Sequence, residues 1–129
     1  VIKTGILNPS IQSLLCRVRH TNLLVIADRG FPFWPDIETI DISLVDDVPQ
    51  VAQVVEAVLH NFQAGRAWMA SEFLDGNSAR QVARTRALLG SVPLDFVSHI
   101  DLKQKVPQAI GLIRTGDTTQ YANIILESA

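Results

Sequence analysis

Hydrophobic positions along the chain alternate between helical and strand periods. After Asn8-Pro9-Ser10, Ile11, Leu14, Leu15 and Val18 recur at helical spacing. Asn8 suits the cap and Pro9 the first turn, where its missing N–H costs little. Leu23-Leu24-Val25-Ile26-Ala27 is a continuous apolar run of strand formers that stops at Asp28-Arg29-Gly30, the pattern of a buried strand delivering polar groups at its C-terminal end. Two prolines and three aromatics make 31–35 a fixed loop. Residues 39–44 alternate like a half-buried strand, and Pro49 opens a helix with Val51, Val54, Val55, Val58 and Leu59 on one face. A strand over 67–73, a helix from about Ser78 to Leu89, a strand over 94–97 and a short helix from His99 to about Lys105 follow. The last two strands are 109–113 and 123–126. This order predicts a single compact α/β domain over 1–129, with a central mixed sheet flanked by helices on both faces.

Composition narrows the function classes. The 129 residues suffice for one domain, and 47% hydrophobic against 19% charged residues supports a real core. A net charge of −2 with scattered basic residues argues against nucleic acid as a partner. Cys16 alone excludes an internal disulfide and a cysteine-cluster metal site, and its place in an apolar helical pattern predicts a buried thiol. No run approaches the roughly 20 apolar residues of a membrane span, and the N-terminus lacks a signal-peptide layout, so the expected location is the cytoplasm. His20, His60 and His99 have no metal-ligand spacing, and neither a phosphate-binding loop nor a Gly-x-Ser-x-Gly elbow is present. The expectation is a protein without a bound metal.

Ligands of open α/β sheets gather beyond the carboxyl ends of the strands. His20 and Asp28 bracket the apolar strand, and eight residues of extended chain separate them by roughly 25 Å. Two arrangements would bring them to one ligand: neighbouring copies in a symmetric ring, each supplying one residue, or a shorter strand bent at both ends. Each also has an ordinary structural reading, His20 as a helix-end or surface histidine and Asp28 as a turn residue. His99, at a helix start, has the same ambiguity. The segment from Arg114-Thr115-Gly116-Asp117 to Tyr121-Ala122-Asn123 is either a hairpin turn or a set of directional donors and acceptors beside an aromatic wall, which is what a sugar requires. His60 reads as solvent-facing, and Trp34 and Trp68 as packing residues.

Taken together, Lys3 to Asn8, Arg19-His20-Thr21, Asp28 with Gly30 and Pro32, Ile40-Asp41, Val48-Pro49, Ile113 to Gly116 and Tyr121-Ala122-Asn123 resemble the D-ribose pyranase and L-fucose mutarotase family, in the same order over nearly the whole chain. The resemblance implies a cofactor-free sugar isomerase assembled as pentamer-based rings, commonly a decamer, with sites between subunits. It implies His20 as proton donor and Asp28, His99, Tyr121, Ala122 and Asn123 as sugar-binding positions. Arg29 to Pro35 is more aromatic than the ribose members lead one to expect, which bears on the pocket's shape more than on the reaction.

The implied activity interconverts cyclic forms of a free monosaccharide, foremost D-ribose. It requires protonation of the ring oxygen while a proton leaves the anomeric hydroxyl, work suited to a histidine of reference pKa about 6.5. The competing expectation is a non-catalytic sugar-binding module associated with uptake or regulation.

Overall fold

The computed structural model describes residues 1–129. Six strands, β1 (Leu23–Ala27), β2 (Thr39–Asp41), β3 (Ala64–Ala70), β4 (Leu94–Val97), β5 (Ala109–Arg114) and β6 (Ile124–Ser128), form one sheet in the order β2-β5-β1-β6-β3-β4. The strand pairs are parallel except at β6, which runs antiparallel to both β1 and β3. The sheet is therefore mixed, and the start of β6 lies at the same edge as the ends of the other strands. The segment after β5 is no hairpin, because β1 lies between β5 and β6.

Side-chain alternation divides the core between the two faces. Leu24, Ile26, Ala67, Met69, Ile124 and Leu126 pack with α1 (Pro9–Arg17), α2 (Val51–Leu59) and the inward residues Phe73 and Leu89 of α3 (Glu72–Gly76) and α4 (Ala79–Leu89). Their neighbours Leu23, Val25, Ala27, Trp68, Ala70 and Ile125 turn to the other face, under α5 (His99–Lys105) and the 31–37 loop. Every residue of β1 is buried, as its unbroken apolar run requires of a central strand.

Local chemistry accounts for the element ends. Asn8 caps α1, its Oδ1 accepting the Ile11 N–H at 3.0 Å with Pro9 in the first turn. Four expectations need correction. Cys16 is exposed, because it lies about 200° around the helix from the inward Leu14. The alternation over 39–44 yields only Thr39–Asp41, since the Asp41 carboxylate accepts the Ser43 N–H and hydroxyl and bends the chain out of the sheet. Helix α2 starts at Val51 rather than Pro49, whose carbonyl instead accepts the Gly116 N–H at 3.0 Å. The third strand is Ala64–Ala70 and not 67–73: Ser71 takes helical dihedrals, and Phe73 enters the core from α3.

Candidate functional site

The loops at one sheet edge enclose an open cleft of about 340 Å³ lined by Asp28, Gly30, Phe31, Pro32, His99, Gln120, Tyr121 and Asn123. Topology explains the gathering. Asp28 follows β1, His99 follows β4, and Asn123 precedes β6, whose reversed direction puts its start beside the other strands' ends.

Asp28 and Asn123 form the floor. The Asp28 N–H donates to Asn123 Oδ1 at 2.7 Å, and the Asn123 amide donates to Asp28 Oδ2 at 3.0 Å. The Gly30 N–H reaches Asp28 Oδ1 at 2.9 Å. Partial burial pushes the Asp28 carboxyl above its ordinary value; hydrogen bonds from Gly30, Asn123 and Phe31 oppose this, while the nearby Asp117 charge adds to it. Two carboxylate oxygens offer about four acceptor sites, so the carboxylate keeps capacity for a ligand hydroxyl.

The walls are aromatic. The His99 ring meets Tyr121 edge-on, centroids 5.1 Å apart, and Phe31 at 6.3 Å. His99 Nδ1 is buried without a hydrogen-bond partner. Tyr121 sits at φ 56, in the left-handed region that strains a non-glycine residue. Ala122 is buried and turns away from the cleft into the core under α2 and α4.

The connections behind the cleft fix these positions. Thr115 N–H and Oγ1 both donate to the Ala27 carbonyl, at 2.9 and 2.8 Å, tying the end of β5 to the end of β1. Buried Asp117 accepts the Val51 N–H at 2.8 Å through Oδ2 and the Thr119 N–H at 2.7 Å through Oδ1, so one carboxylate caps α2 and shapes the turn toward Tyr121. The Arg114 guanidinium donates to the Arg29 and Pro32 carbonyls, each at 3.2 Å, bracing the loop that carries Phe31.

His20 is elsewhere. It lies in the exposed turn before β1, where the Thr21 N–H bonds the Ser128 carbonyl at the opposite sheet edge. The whole of β1 separates it from Asp28, which follows the strand's other end.

A family model described as the RbsD / FucU transport protein family matches residues 2–129. The chain belongs to that family. Within it, the chain is 41% identical to a D-ribose pyranase of Chromobacterium violaceum over 98% of this chain and 96% of that one. It is 40% identical to a D-ribose pyranase of Symbiobacterium thermophilum, over 98% and 95%. Among solved structures, Bacillus subtilis RbsD complexed with D-ribose superposes with a TM-score of 0.93 at 29% identity, covering 100% of this chain and 98% of that one. The fucose mutarotase of Streptococcus pneumoniae in complex with L-fucose shares the fold, with a TM-score of 0.83 at 18% identity over 99% and 98%.

For this RbsD / FucU family member, the single chain assembles Asp28, His99, Tyr121 and Asn123 into one cleft and leaves out His20 and the Ala122 side chain. Sequence reasoning missed Gln120, which lines the cleft beside Tyr121, and did not place Phe31 against the ligand. Trp34 packs against Phe31 at 6.4 Å outside the cleft lining, and Trp68 is buried on the sheet. No group of three or more His, Cys, Asp or Glu side chains is placed to hold a metal ion, and no helix is long and apolar enough to cross a membrane.

Proposed function

We propose that this chain interconverts the ring forms of a free monosaccharide, D-ribose in the first instance, by proton-assisted opening and reclosure of the hemiacetal. The observation that carries this reading is the cleft itself, with a hydrogen-bonded carboxylate and amide on its floor and aromatic walls. Relatives named D-ribose pyranase and a ribose-complexed RbsD of the same fold support it.

In the proposed mechanism the anomeric hydroxyl loses its proton as a protonated imidazole delivers one to the ring oxygen. The bond between the anomeric carbon and the ring oxygen breaks, its electron pair stays on that oxygen, and the anomeric carbon becomes an aldehyde. A different hydroxyl then attacks the aldehyde, and the same two proton transfers run in reverse. His20 supplies the acid; Asp28, His99 and Tyr121 orient hydroxyls or relay the second proton. The uncatalysed reaction already proceeds in water, so assistance on the order of 10²- to 10⁴-fold per group is sufficient.

Because His20 stands at the opposite sheet edge, it serves this cleft from a neighbouring copy, and a closed ring supplies that copy to every site. The proposed assembly is a pentamer-based ring or decamer in the cytoplasm. A non-catalytic sugar-binding module is the competing reading; it would use the same Asp28–Asn123 floor and have no need of His20. Saturation-transfer NMR on equilibrating D-ribose separates the two. Wild-type protein accelerates pyranose–furanose exchange and His20→Ala does not; tight ribose binding with no acceleration by wild type supports the binding module instead.

A further inference from the structure

Helix α3 contributes no residue to the cleft lining, yet both of its ends hold residues that line it. At the N-terminal end, the His99 N–H donates to both Glu72 oxygens, at 3.1 and 3.0 Å, and the Ser71 hydroxyl donates to Oε1 at 3.0 Å. The sheet dictates this meeting. Glu72 and His99 each stand two residues beyond the paired Ala70 and Val97 of adjacent parallel strands. The Ser71 N–H, bonded to the Val97 carbonyl at 2.7 Å, extends the ladder toward them.

At the other end, the Asn77 amide donates to the Phe73 carbonyl at 3.0 Å and to the Gln120 carbonyl at 2.9 Å. Gln120 immediately precedes Tyr121, whose left-handed backbone persists only where the surroundings hold it. A Cβ at Gly76 would stand 3.4 Å from Gln120 Oε1 and 3.9 Å from the Tyr121 ring, so the end of α3 backs directly onto this pair. Phe73, at 2% exposure, anchors the helix in the core. Desolvation works to raise the Glu72 carboxyl, but hydrogen bonds from the His99, Glu72 and Ser71 groups and the charge of His99 outweigh it, holding Glu72 below its ordinary value.

We propose that α3 is a brace that sets the spacing of the His99 and Tyr121 rings across the cleft, with Glu72 and Asn77 as positioning residues for sugar binding. The proposal rests on the reading that this cleft holds a sugar. It adds residues that act only through others.

Tyr121 is the only tyrosine, so full-length protein grown with 3-fluorotyrosine gives one fluorine resonance from the cleft wall. That resonance is compared in wild type, Asn77→Asp, Glu72→Ala and Glu72→Gln, with circular dichroism to confirm folding. D-ribose affinity is measured on the unlabelled proteins. Asn77→Asp keeps the shape and removes the donors; Asn77→Ala replaces it if the aspartate variant does not fold.

Loss of one such hydrogen bond predicts a displaced resonance and about tenfold weaker ribose binding for Asn77→Asp and Glu72→Ala. Glu72→Gln still offers an oxygen to the His99 N–H and stays within about threefold of wild type. Folded Asn77→Asp and Glu72→Ala proteins with the wild-type resonance and ribose affinity would overturn the brace. Equal losses in Glu72→Gln and Glu72→Ala would overturn the part assigned to Glu72. If wild type binds no ribose, the sugar reading fails by itself, and the resonance alone decides on the brace.

Discussion

Asp28 and Asn123, 95 residues apart in the chain, hold each other by a reciprocal pair of hydrogen bonds: backbone N–H to side-chain oxygen at 2.7 Å, and amide to carboxylate at 3.0 Å. The pairing follows from β1 and β6 lying antiparallel side by side, so that the end of one meets the start of the other. It makes the cleft floor a property of the sheet.

The first expectation concerns the Asp28 proton. Burial lifts this carboxyl above its ordinary 3.8, so the folded chain holds the proton more tightly than the unfolded one. The stability this contributes is fully present below the unfolded pKa and is lost as pH rises through the folded value. Asn123→Ala removes a hydrogen bond that favours the anion and raises the Asp28 value further. A carbon-detected NMR titration reads both; an Asp28 value below 3.8 in wild type, or a downward move in the variant, contradicts the account.

Asp117 is expected to matter more for folding than for chemistry. Both of its oxygens accept backbone N–H groups, from Val51 and Thr119, at a nearly closed site. Asp117→Ala leaves both donors unpaired and lowers stability by about 1–3 kcal/mol, with Asp117→Asn losing less because one oxygen survives. Urea unfolding of the two variants tests the order.

Gly116 allows the 45–48 turn to approach the segment after β5. A Cβ there would overlap the Val45 carbonyl and lie 2.8 Å from that of Val48, both rigid backbone atoms. Gly116→Ala should cost about 1–3 kcal/mol and lower the melting temperature. Gly30→Ala is the control, since its nearest neighbour would be Asp28 Oδ1 at an ordinary 3.8 Å.

Much of this fold is legible along the chain, for physical reasons that vary by element. Leu23–Ala27 declares itself because a central strand is buried on both faces, and Asn8-Pro9 because capping is local chemistry. Phe73 misleads: an apolar residue soon after a strand fits either a longer strand or the inward face of the next helix, and the Ser71 dihedrals decide. Cys16 misleads because nearby apolar residues fix the buried face without placing every residue between them on it. At the site, Asp28, Tyr121 and Asn123 were legible mainly through family resemblance, since each alone reads as a turn residue. Gln120, Glu72 and Asn77 were not, because their roles depend on strand neighbours that only the sheet order supplies.

The most direct test of the whole account is complementation between two inactive variants. His20→Ala and Asp28→Ala are each purified, then co-expressed in equal amounts, with native mass spectrometry confirming mixed assemblies. If every site takes His20 from one copy and Asp28 from its neighbour, random mixing leaves both wild-type residues at about a quarter of the sites. Ribose ring exchange, lost in each variant alone, then returns to about a quarter of the wild-type rate. Mixed assemblies that remain as inactive as either parent would contradict a sugar site built from two copies of the chain.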